Sequence, residues 1–128
     1  MRRSSFLALA ILVAPFAAFA ADVDPRALAA NPEAYTGPAV ELAVAYCGGD
    51  AGAYMCSTTG SVFVRVEALT ANAAKAKIDN GCGGIDWVEK SPDCRFRLKF
   101  TATMYAFDTQ IEPGKRSLVF YAAQATAR

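Results

Sequence analysis

Polar and apolar positions alternate along most of this chain, and the alternation sets out its elements. Over 40–46, Val40, Leu42, Val44 and Tyr46 fall on one face and Glu41, Ala43 and Ala45 on the other, the period of a half-buried strand. A short strand over 54–58 follows. The next, over 62–67, turns Val62, Val64 and Val66 inward and Phe63, Arg65 and Glu67 outward. The strongest strand is predicted over 95–105. It places Phe96, Leu98, Phe100, Ala102 and Met104 on one side, and Arg95, Arg97, Lys99, Thr101, Thr103 and Tyr105 on the other. A last strand is expected over 117–125, after the Glu112-Pro113-Gly114-Lys115 turn.

Two stretches break the alternation. Residues 70–80 are rich in Ala and Lys and run into Gly81, which predicts one helix. A shorter helix is expected over 25–30, with Asp24 as N-cap and Pro25 at the first position; Asn31-Pro32 stops it. The stretches 47–52 and 82–93 are glycine-rich and read as loops, the second carrying Trp87, the only tryptophan.

The order is short helix, three strands, helix, two strands. That is the connectivity of a mainly β, five-stranded OB-fold-like Greek-key barrel, with one helix between strands 3 and 4. The residues Asn31-Pro32-Glu33-Ala34-Tyr35-Thr36-Gly37, leading into Val40-Glu41-Leu42, carry a resemblance. So does the helix end Ile78-Asp79-Asn80-Gly81-Cys82 with the later Cys94-Arg95-Phe96-Arg97-Leu98-Lys99-Phe100 strand. On these segments the chain resembles small exported OB-fold proteins of the tRNA-anticodon-binding-like and bacterial OB-fold type. It departs from them where Ala102 stands in place of a glycine. The resemblance implies a fold, since OB folds host many functions.

The first 20 residues read differently. Arg2 and Arg3 precede an uncharged apolar run over 6–19, and Ala18-Phe19-Ala20 supplies an A-x-A cleavage site, the pattern of a signal peptide. Cleavage after Ala20 leaves a single domain over 21–128 and a periplasmic or secreted location. No later segment approaches the roughly 20 apolar residues of a membrane span. The net charge of +1 becomes −1, because two of the 13 basic residues leave and all 12 acidic ones stay.

Four cysteines in a small exported domain point to two disulfides. Three connectivities are possible. Cys47–Cys56 and Cys82–Cys94 are favoured, because each closes a short loop containing Gly or Pro. Neither interval suits a zinc site.

The chemistry is bounded by what is missing. With no His, triads and His metal sites are excluded. The glycines form no phosphate-binding motif, and Asp86, Glu89 and Asp93 lack calcium-loop spacing. No catalytic set, metal or cofactor is expected. Arg95, Arg97 and Lys99 recur at spacing two, and Phe63, Arg65 and Tyr105 are expected outward as well. Cations interleaved with rings suit an anionic ligand; the bland alternative is a solvated face paired with Glu41, Glu67 and Asp93. Trp87 is either a binding anchor or a plug in one barrel end. The expected function is a non-enzymatic binding or accessory domain of the envelope. Its partner is an anionic small ligand, a glycan or an envelope protein; near-neutral charge and export argue against nucleic acid. The alternative is a periplasmic enzyme inhibitor or small enzyme acting through the disulfide-fixed loops.

Overall fold

The computed structural model describes residues 22–128; the signal-peptide reading concerns residues outside them. The chain forms α1 (Pro25–Ala30), a 3-10 turn (Pro32–Tyr35), β1 (Ala39–Asp50), β2 (Ala53–Ser57) and β3 (Val62–Leu69). It continues with α2 (Ala73–Gly81), α3 (Gly84–Glu89), a 3-10 turn (Pro92–Cys94), β4 (Arg95–Thr101), β5 (Met104–Asp108) and β6 (Ser117–Ala127). The strands follow the order β3-β2-β1-β4-β6, and a parallel β3–β6 ladder closes the circle. β4 and β5 lie end to end along β6, so together they act as one bent strand of a five-stranded barrel. The helix expected between the third and fourth strands is α2, capped by Asn72, whose side-chain oxygen accepts from the Lys75 amide at 2.8 Å.

The barrel interior is the apolar face of the alternating strands: Val62, Val64 and Val66 meet Leu98, Phe100, Leu118 and Phe120. Leu28 of α1 and Ile78 of α2 are fully buried in the same core. Both favoured disulfides form. Cys47 and Cys56 face each other across β1 and β2, with Cα atoms 4.0 Å apart, and join the core. Cys82–Cys94 closes the segment that contains α3. No helix among the described residues is long and apolar enough to cross a membrane.

Four local expectations are corrected. The pairing of β1 with β4 slips between Leu42 and Ala45, so the inward set is Val40, Leu42, Ala45 and Cys47; Val44 and Tyr46 turn outward. Residues 47–50 continue β1 rather than forming a loop, and the turn is only Ala51 and Gly52, both at positive φ (51° and 82°), as a tight hairpin requires. Residues 82–93 contain α3. The 95–105 strand breaks at Ala102–Thr103, and the alternation inverts at this bend although the pairing with β6 keeps one register on both sides of it. Tyr105 therefore packs on the core against Phe120, with ring centroids 6.2 Å apart, while Met104 is exposed.

The candidate anionic face and the disulfide-held helix

β4 carries Arg95, Arg97 and Lys99 on one outer face, as its alternation predicts, with Arg95 and Lys99 exposed and Arg97 half-buried. Arg97 donates from Nε to Glu41 Oε2 at 3.2 Å and also bonds Asp22 through Nη2. Arg128 reaches the same Glu41 oxygen at 2.7 Å. The Glu41 side chain is only 9% exposed, so two guanidiniums compensate one nearly buried carboxylate. The hydrogen bonds to Glu41 first, and to Asp22 second, raise the Arg97 pKa above its ordinary value. Arg95 and Lys99 have no ion-pair partner among the described residues, although Glu41 lies opposite Lys99 in the β1–β4 register. An open cleft of about 380 Å³ is edged by Arg95, Arg97 and Arg128, with Ala43, Pro92 and Phe96 as its remaining walls.

Sequence reasoning missed Arg128. The last strand was expected to stop at 125, whereas β6 runs to Ala127, and Arg97 and Arg128 exchange backbone hydrogen bonds at 2.9 and 3.0 Å. The signal was there in part: Ala125 and Ala127 continue the inward alternation.

The aromatic half of the expected strip is elsewhere. β6 separates β3 from β4, so Phe63 and Arg65 do not adjoin the β4 cations. Arg65 forms an ion pair with Asp50 at 2.9 Å. Phe63 does point outward from the barrel, but it is only 4% exposed, because Trp87 lies on it in an edge-to-face contact with centroids 5.8 Å apart. Phe63, Met55, Val119 and Trp87 make a second, separate cluster on the outer surface. Trp87 is thus neither an exposed anchor nor a barrel plug. It is the underside of α3.

Several contacts seat that helix. The Ser57 hydroxyl donates to the Trp87 carbonyl at 2.6 Å. The Gly49 amide donates to Cys82 O at 3.1 Å, and Asp86 Oδ2 accepts from the Gly83 amide at 2.8 Å. Gly48 has a specific reason to be glycine: a Cβ there would lie 2.2 Å from the Gly83 carbonyl oxygen. The upper face of α3 shows Ile85 (65% exposed) and Val88 (59%) to solvent.

A third polar cluster ties α2 to β2. The Tyr54 hydroxyl donates to Asp79 Oδ1 at 2.6 Å, and Lys75 Nζ donates to Asp79 Oδ2 at 2.7 Å. These two donors lower the Asp79 pKa, Lys75 first. The Asp79 hydrogen bond, followed by burial, raises that of Tyr54. All four cysteines are in disulfides, and no group of three acidic or cysteine side chains among the described residues is placed to hold a metal.

No known family, no curated protein and no solved structure matches this chain.

Proposed function

We propose that this chain is an exported, non-enzymatic binding module of OB type that takes an anionic group on the outer face of β4. The observation that carries the reading is the pair Arg95 and Lys99, exposed and without carboxylate partners among the described residues, beside the Arg97–Arg128 cleft. Arg97 and Arg128 are fixed by Glu41, so they add field and shape, while Arg95 and Lys99 supply the unneutralised charge. Phe63 and Tyr105, the rings expected to accompany these cations, lie elsewhere, which favours an acidic glycan or small anion over a nucleic acid. The two disulfides fit an oxidising compartment, and with the predicted leader they support a periplasmic or secreted site of action. Binding of an acidic oligosaccharide such as oligogalacturonate, followed by calorimetry at low salt, tests this. Arg95→Glu with Lys99→Glu should weaken binding at least about tenfold, and salt should weaken it for the unaltered protein too. Unchanged affinity in the double variant sinks the site.

A second reading, inhibition of an envelope hydrolase through the disulfide-held segment, is favoured by one feature. Ile85 and Val88 project from a clamped helix, where preorganisation lowers the cost of binding. Its anchors are then these two residues and not the buried Trp87. Ile85→Asp with Val88→Asp would abolish inhibition in a panel of envelope hydrolases; a panel untouched by the unaltered protein rejects the reading.

A further inference from the structure

The slip in β1 leaves a gap in the ladder. Residues 39–42 and 45–46 pair with β4, and residues 46–50 pair with β2. Ala43 and Val44 pair with neither. The edge on which they lie is where β2 would sit if it were longer, and β2 stops at Ser57, opposite Tyr46. Part of that edge is already used by the chain itself. Asp22 forms a parallel bridge to Glu41, and the Val23 amide donates to Glu41 O at 2.9 Å. The segment leaves the edge at Asp24, because Pro25 has no amide hydrogen and starts α1. The Glu41 carbonyl points to this side, since it accepts from Val23.

The open stretch faces a cleft of about 380 Å³ between the Asp22–Asp24 segment and the β2–β3 turn. Its walls are mostly apolar: Val23, Pro25, Leu42, Val44 and Tyr46, with Thr59 at the far rim. Val44 and Tyr46 are outward only because of the slip, and they are two residues apart, the repeat distance of side chains on one face of a strand.

We propose that this cleft is a docking site for an extended peptide segment, which adds to the β1 edge at Ala43–Val44 and places alternate apolar side chains between Val23, Val44 and Tyr46. The gap in strand pairing favours a peptide: an apolar small molecule would fill the cleft alone, whereas an extended chain would fill the cleft and continue the sheet along β1. The bridge at Glu41 shows that this edge already accepts one extended segment. The cleft adjoins the anionic face, because Tyr46 lies opposite Arg95 and Ala43 borders both clefts, but peptide docking makes no use of the Arg95 or Lys99 charge.

The test uses the oxidised protein and synthetic heptapeptides that alternate threonine with valine, leucine or phenylalanine, followed by amide-resolved NMR titration. A supporting result is saturable binding by at least one peptide, with shifts centred on Val23, Ala43, Val44 and Thr59. Methylating the peptide's backbone nitrogens on one edge should weaken that binding about tenfold, the worth of one or two hydrogen bonds. Ala43→Pro, which removes the amide hydrogen at the unpaired step of β1, should do the same; Val44→Asp checks the cleft wall if the proline variant fails to fold. The proposal is overturned if no peptide shifts these amides up to millimolar concentration, if the methylated peptide binds equally well, or if the edge amides shift only with protein concentration, which would make the occupant a second copy.

Discussion

At Gly48, one missing atom decides how α3 sits. The backbone there passes so close to the Gly83 carbonyl that any Cβ overlaps it at 2.2 Å, and the Trp87 ring edge is 3.2 Å away. Neither backbone can yield cheaply, so Gly48→Ala should cost about 1 to 3 kcal/mol, the range of overpacking. Gly49→Ala is the control: its Cβ would meet only Cys82 O, at 3.9 Å, an ordinary contact. Thermal melts of the two variants that fall together would refute the argument. Trp87 offers a second residue-scale prediction. Its indole Nε1 is the one buried side-chain polar atom without a partner among the described residues. A buried donor left unpaired costs about 1 to 3 kcal/mol, so Trp87→Phe returns part of what its smaller ring loses. Trp87→Ala loses the whole packing on Phe63 and Met55, about 3 to 5 kcal/mol. Denaturant titration should rank phenylalanine well above alanine.

At the level of elements, α3 is a six-residue helix too short to stand by itself, and the Cys82–Cys94 bond holds it on the barrel. Replacing both cysteines with serine should cost about 2 to 3 kcal/mol through the freed loop. It should also expose Trp87, seen as a red shift of its emission, while far-ultraviolet dichroism keeps the barrel signal. Emission unchanged in the double variant would mean that Ser57 and the apolar contacts suffice. The same element shows why the sequence was read only in part. The strands, their order and both cysteine pairs were legible, because a period of two and short loop closures are local properties. α3 was not, since Gly83-Gly84 reads as a breaker, although the close approach of the two backbones demands glycine at Gly48 and not at Gly83. The two parity errors have different origins. The slip at Ala43–Val44 adds a residue that strict alternation does not allow and moves Tyr46 out, whereas the bend at Ala102–Thr103 turns Tyr105 in with no change of register against β6. The candidate cations survived because 95–99 lies between the two irregularities. Phe63 was correctly placed on the outer surface, yet the cover laid over it comes from residues more than twenty positions away.

Across the whole molecule, charge ties together parts that are distant in the chain, and acidity should loosen one tie in a predictable sense. Asp79 links α2 to β2 by accepting from Lys75 and Tyr54, and both bonds hold its pKa below the ordinary 3.8. A carboxyl depressed in the fold stabilises it above the unfolded value and loses that contribution as pH falls through the folded one. Tyr54 runs the other way. Its folded pKa is raised above 10.0, so its contribution is full below pH 10 and fades as the hydroxyl ionises beyond it. The α2–β2 tie is therefore at full strength from about pH 4 to 10 and weakens on both sides. Asp79→Asn removes the acid-sensitive partner at every pH. The gap in melting temperature between it and the unaltered protein should be constant through neutrality and close as pH drops below 4. Tyr54→Phe should open a gap that narrows both as Asp79 is protonated below about pH 4 and as the hydroxyl ionises above about pH 10. The acid side is the sharper test, because Asp24 and Glu112, also depressed, titrate in both proteins and cancel in the difference. A gap for Asp79→Asn that stays the same down to pH 2 would show that the Asp79 carboxylate is not what joins the helix to the barrel.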